Sequence, residues 1–253
     1  MTSKLSERVA VITGGTTGLG GATVKLFAEK GYRVLATNIH DRAGYVPSLI
    51  SQGLNVSFFA SDLSNPEPAS KAIVAKAVEL WGRIDVVVNC AARISHESVH
   101  DVTNQDWDDI FAVNLKAPFF MAQAAFPHLE RVQGCIINVS STHAWRVNVK
   151  NHLYDSLKAA LNHLSKGLAL EFRDSGVRVN AIMPGGMDTP LLAQFIEKYG
   201  APNSGEADVA DPKPNSMLAR PEWLAQGILA LASDELRWIN GAELPMDGGA
   251  YLG

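Results

Sequence analysis

The chain lacks the features that mark several large classes of protein. It has two cysteines, Cys90 and Cys135, in 253 residues. That is too few for a disulfide-held scaffold, so two reduced core thiols are expected. No stretch stays apolar for long enough to cross a bilayer as a helix. The opening "MTSKLSERVAVITGG" has no apolar signal core before its first turn. Lysine and arginine never gather into a block; 22 basic against 26 acidic residues leave a formal charge of -4, spread along the chain. That pattern gives no footprint for nucleic acid. The histidines have no spacing of a common zinc ligand set, so no metal is expected. These absences lead to the expectation of a cytoplasmic globular protein with neither a membrane nor a nucleic-acid partner.

What is present is an alternation. Short β-branched runs at 8–13, 33–38, 55–60, 84–89, 135–140, 177–182 and 241–247 read as strands. Between them lie amphipathic stretches with apolar residues three and four apart. "LGGATVKLFAEKG" stops at Gly31, and "PEPASKAIVAKAVELWG" opens on prolines and stops at Gly82. Strand, helix, strand, helix predicts an α/β fold: a doubly wound parallel sheet of about seven strands, helices on both faces, in a single domain over 1–253. The expected strand order is 3-2-1-4-5-6-7. Residues 199–221, rich in Gly, Pro, Asn and Asp, break the rhythm. A long irregular loop in a compact domain reads as a substrate lid, placed at about 190–215. Helices at 104–130 and 152–173 carry apolar residues on more than one face. In the second, Ala160, Leu170 and Phe172 fall outside the stripe of Leu153, Leu157, Leu161, Leu164 and Leu168. A second apolar face needs a second partner.

The first strand runs into "TGGTTGLG", residues 13–20. A glycine-rich turn opening a helix lets backbone N–H groups approach a pyrophosphate. "YDSLK", 154–158, places a tyrosine and a lysine one helical turn apart, on one face. A phenol's ordinary pKa of about 10 is too high for a base at neutrality. A nearby ammonium favours the phenolate. Reaching about 7 asks for about 4 kcal/mol.

In this order and spacing, the motifs resemble those of the short-chain dehydrogenases/reductases, in their shorter, non-extended branch. The resemblance covers almost the whole chain, from Thr13 to the "DGG" at 247–249. It implies a Rossmann fold binding a nicotinamide dinucleotide. Gly14, Gly18 and Gly20, with Thr16, Thr17 and Leu19 between them, match the cofactor turn. Asp62 and Leu63 match the adenine contact, and Asn89 and Ala91 lie in the loop after the fourth strand. Pro184, Gly185, Met187 and Thr189 match the segment at the nicotinamide end. By the same resemblance Tyr154 is the general acid/base, Ser141 holds the substrate oxygen, Lys158 also binds the nicotinamide ribose, and Asn114 anchors a water that relays protons. Two departures stand out. The family's "NNAG" reads "NCAA" at 89–92, and the end of the second strand, Asn38 followed by Ile39, lacks the usual aspartate.

The implied reaction interconverts a secondary alcohol and a ketone. Candidate substrate residues are Arg93, His143, Trp145 and Asn151, a polar and aromatic set that suits a small polar substrate such as a sugar, a polyol or a hydroxy acid. Other readings are a non-catalytic dinucleotide sensor on the same fold, or a reductase of a more apolar ketone. Asn38 has no charge to repel a 2′-phosphate, and no basic residue stands at Thr17, Asn38 or Ile39 to attract one. NAD is therefore expected over NADP, by a modest margin. The resemblance also implies a homotetramer, with a homodimer as alternative.

Overall fold

The computed structural model describes residues 7–199 and 218–252. Its main sheet holds β1 (Val9–Thr13), β2 (Arg33–Asn38), β3 (Val56–Ala60), β4 (Val86–Asn89), β5 (Cys135–Val139), β6 (Arg178–Pro184) and, last in the chain, β9 (Glu243–Met246). Two short strands, β7 (Gly186–Met187) and β8 (Leu218–Ala219), pair with each other outside it. The order in the main sheet is β3-β2-β1-β4-β5-β6-β9, as expected, and every pair is parallel. Thr13 is level with both Thr37 and Asn89, and Asn89 with Asn138. The strands therefore end in step, and their carboxyl ends form one rim. The direction of winding reverses between β1 and β4, where such sheets open a crevice.

The helices are α1 (Gly18–Glu29), α2 (Tyr45–Ser51), α3 (Pro66–Trp81), α4 (Asn104–Phe111), α5 (Ala117–Val132), α6 (His152–Glu171), α7 (Pro190–Tyr199) and α8 (Pro221–Ala232). Strand residues alternate between two cores. Ile12, Val88 and Ile137 pack with Phe27 of α1 and Ile228 of α8 on one face. Val11, Val87 and Ile136 pack with Ile73, Met121 and Leu168 of α3, α5 and α6 on the other. Buried on both sides, these strands carry no polar alternation, which is why they are legible as continuous apolar runs. Gly82 closes α3 in the left-handed conformation, φ 71°.

Three details differ from expectation. The helix over 104–130 is not regular: Ala112–Lys116 form a π turn in which the Ala117 N–H reaches the Ala112 carbonyl. Pro118 explains the break, since it has no N–H to offer the carbonyl of Asn114 four residues back. Phe172 does not face outward; it is buried against Phe126, ring centroids 4.4 Å apart. Of the expected lid, residues 190–199 form α7, and 200–215 lie outside the described residues. Among the described residues, no helix is long and apolar enough to cross a membrane.

Candidate active site

The carboxyl ends of β1, β2, β4, β5 and β6 open into one cleft. Its floor is the turn after β1. Gly14 has φ +66°, which glycine adopts without strain. A Cβ on Gly20 would stand 2.2 Å from the Gly14 carbonyl oxygen, so only hydrogen fits there. Thr17, the N-cap of α1, makes no side-chain cap, which leaves the first-turn N–H groups for a ligand. The Thr13 hydroxyl accepts the N–H groups of Cys90 (3.0 Å) and Ala91 (3.1 Å), tying this turn to the loop after β4. Ala92 is not among the residues with positive φ, so the alanine in place of the family's glycine strains nothing. Gly18 and Leu19 complete this part of the lining.

Asn38, Ile39, Asp62 and Leu63 line the far end, joined by Arg42. The amide of Asn38 is already engaged: Nδ2 donates to Thr16 Oγ1 at 2.7 Å, and Oδ1 accepts the Ile39 N–H at 2.8 Å. Thr16 in turn donates to the His40 carbonyl at 3.1 Å. It therefore stands behind the lining, bracing Asn38. Asn89 is likewise set back. Its Nδ2 donates to Asn138 (2.8 Å), which donates to Ser165 of α6 (2.8 Å), a buried polar chain beneath the site. Pro184, Gly185, Met187 and Thr189 close the other end, where α7 starts.

Ser141, Tyr154 and Lys158 meet at the middle of this cleft. Ser141 follows β5, and the other two sit on the first turns of α6. The Ser141 side chain favours the ionised form of Tyr154. Lys158 is buried, and its Nζ donates to the Val139 carbonyl at 2.8 Å. Asn114 stands on the π turn, and its side chain clamps the Arg93 backbone: Oδ1 accepts the Arg93 N–H and Nδ2 donates to the Arg93 carbonyl, both at 2.8 Å. The amide is thus committed to the loop, and Pro118 offers no N–H to the Asn114 main-chain carbonyl.

Burial pushes the Tyr154 phenol up to about 12, against the Ser141 side chain, and the Asp155 carboxylate adds to the rise. Burial also pulls Lys158 down to about 8, with Cys90 opposing. In the cofactor-free site desolvation outweighs the opposing contribution for each group. Cys90 packs against the core yet also lines the cleft, half-buried, and burial pushes its thiol up to about 12.

The substrate candidates separate. Arg93 lines the cleft, its guanidinium paired with Asp109 at 3.2 Å. Trp145 is turned to the last strand; its Nε1 donates to Glu243 at 2.7 Å and its ring meets Tyr251 edge-on. His143 and Asn151 converge on Asp155, outside the lining. Asp155 was not singled out by sequence, although it is the second letter of "YDSLK". Arg42, three residues of loop beyond β2, lines the cleft at the Asn38 end, where a basic side chain near in sequence can reach.

A family model described as enoyl-(acyl carrier protein) reductase matches residues 14–251. A 2,5-dichloro-2,5-cyclohexadiene-1,4-diol dehydrogenase of Sphingobium indicum is 37% identical over the full length of both chains. A cis-4-hydroxycyclohexanecarboxylate dehydrogenase of Sinomonas cyclohexanicum is 32% identical over 98% of each. A solved Serratia marcescens short-chain dehydrogenase/reductase, a double mutant, superposes with a TM-score of 0.84 at 30% identity, over 97% of this chain and 98% of that one.

Proposed function

The chain belongs to the short-chain dehydrogenase/reductase family and is a nicotinamide-dependent alcohol dehydrogenase/ketone reductase, and on that premise we propose that it oxidises small ring alcohols bearing a second polar group. The observation that carries this is the meeting of Ser141, Tyr154 and Lys158 in a cleft whose floor fits a dinucleotide. Both relatives named above are, by name, dehydrogenases of six-membered rings with a second oxygen function. The polar Arg93 and His143 near the cleft suit such a substrate.

The residues fit the cofactor. Gly14, Gly18 and Gly20 let the turn fold tightly against Ala91, Thr189 and its own backbone, and the α1 N-terminus supplies N–H donors for the pyrophosphate. Bound there, the cofactor accepts or delivers the hydride. The chain supplies everything else. Ser141 donates to the substrate oxygen and steadies its charge. Tyr154 takes the alcohol proton during oxidation and returns it during reduction. The Lys158 ammonium, with the cationic nicotinamide, draws the phenol down from about 12; reaching neutrality asks for about 7 kcal/mol at ~1.4 per pKa unit. The Asn114 carbonyl holds the water that passes the proton outward. Turnover of cis-1,2-cyclohexanediol with NAD, followed by absorbance of the reduced cofactor, tests the assignment; no turnover of any ring alcohol contradicts it.

NAD is preferred over NADP by a modest margin in this reading. Asn38 brings no repulsive charge, and its amide is held by Thr16 and Ile39; Arg42 at the same end narrows the margin. The protein works in the cytoplasm, where other enzymes recycle its cofactor, and as a homotetramer. Phe119 of α5 and Leu170 of α6 are exposed apolar residues suited to a subunit contact; a monomer mass by light scattering contradicts this. Pro190 and Leu191, where α7 starts, line the cleft and form the near end of the lid. Hydrogen exchange there that ignores cofactor plus substrate contradicts the lid.

A further inference from the structure

Asp155 itself has no part in the reaction described so far. Asp155 directly follows Tyr154 on the first turns of α6 and is buried, 3% exposed. Its carboxylate accepts the Asn148 main-chain N–H at 2.9 Å, the Asn151 amide, and Nδ1 of His143 at 2.8 Å. A bare Nδ1 so close to a carboxylate oxygen would set lone pair against lone pair, so Nδ1 carries a proton. Asn151 Nδ2 also lies 3.0 Å from that Nδ1. Both are donors, and both serve Asp155 rather than each other.

The consequence falls on the other ring nitrogen. In the neutral imidazole Nε2 is left as a bare acceptor, on the side of the ring away from Asp155. The His143 ring stands edge-on to Tyr154, centroids 6.0 Å apart. Its main-chain N–H donates to Ser141 Oγ at 3.2 Å. A partly exposed residue carrying this acceptor thus stands beside the Tyr154 ring and the Ser141 hydroxyl.

We propose that His143 determines specificity: Asp155 fixes its tautomer so that Nε2 accepts a hydrogen bond from a second hydroxyl of the substrate, next to the carbinol that is oxidised. The site then selects diols over mono-alcohols, and over ethers of the same diol, which have no donor there. Asp155 and Asn151 are positioning residues, acting through His143. The inference rests on the reading of the chain as a dehydrogenase of small ring alcohols.

The test compares kcat/KM for cis-1,2-cyclohexanediol, its mono-O-methyl ether and cyclohexanol in the wild type, His143→Phe and Asp155→Asn. A site built to accept from a substrate hydroxyl rejects the analogue lacking it. The wild type should favour the diol over the ether by about tenfold or more. His143→Phe should bring that ratio to within about twofold, whatever happens to the absolute rates. Asp155→Asn weakens the hold on the Nδ1 proton and should narrow the ratio, since a donor Nε2 serves a hydroxyl and an ether oxygen alike. A merely structural His143 would lower all three substrates by one factor. Equal wild-type rates on diol and ether, or a ratio untouched by His143→Phe, would overturn the proposal while leaving the alcohol dehydrogenase reading intact. If no substrate turns over, the ring-alcohol reading fails. The imidazole nitrogen shifts of His143 then decide alone: a proton on Nδ1 supports the fixed tautomer, and one on Nε2 refutes it.

Discussion

The Nζ of Lys158 lies 5.5 Å from the centre of the Tyr154 ring and hydrogen-bonds the Val139 carbonyl, not the phenol. The lysine therefore acts on the tyrosine through space. Being buried, it also bears a cost of its own, which pH exposes.

Lys158 is held down at about 8 against an ordinary 10.5. Above about pH 8 the folded protein has released this proton while the unfolded chain keeps it. Stability contributed by this group therefore rises with pH, and the gain is complete above 10.5. Relative to Lys158→Met, the cofactor-free wild type should gain about 2 kcal/mol between pH 8 and 10. Tyr154, raised to about 12, pulls the other way only above about pH 10. Urea unfolding of both proteins across that range checks the slope; parallel curves would mean that Lys158 is not desolvated.

Gly20→Ala drives a methyl group onto the Gly14 carbonyl. The turn must open, at about 1–3 kcal/mol. The expected result is a folded protein with NADH affinity reduced by at least about tenfold, read by fluorescence titration. Unchanged affinity would show that the turn does not cradle the pyrophosphate.

At the adenosine end, Asn38→Asp adds a charge that repels a 2′-phosphate, worth about 1 kcal/mol at partly exposed range. The ratio of kcat/KM for NAD over NADP should rise severalfold, and Arg42→Ala should raise it further. A wild-type preference for NADP of tenfold or more would mean that Arg42 or His40 binds the phosphate.

The sheet was legible because its strands are buried on both faces and its helices end on glycines. Gly82 does in the fold what its place after an apolar period predicts. Ser141, Tyr154 and Lys158 were legible because their spacing carries the chemistry. What escaped were relationships across the chain. Nothing local says that Thr16 holds Asn38, 22 residues away, or that Asn114 spends its amide on Arg93. Asp155 and His143 are 12 residues apart on different elements, and only the turn after β5 brings them together. The upward shift of Tyr154 was missed because a residue pair in sequence shows the attraction and hides the desolvation.

The central claim is that Tyr154 moves the substrate's proton while the cleft holds the cofactor independently of it. The most direct measurement is single-turnover oxidation of a ring diol by wild type and Tyr154→Phe, each saturated with NAD, alongside NADH titration of both. The account predicts at least about a 100-fold loss of rate in Tyr154→Phe, with NADH affinity within about twofold. A Tyr154→Phe protein that turns over at a near-normal rate contradicts it.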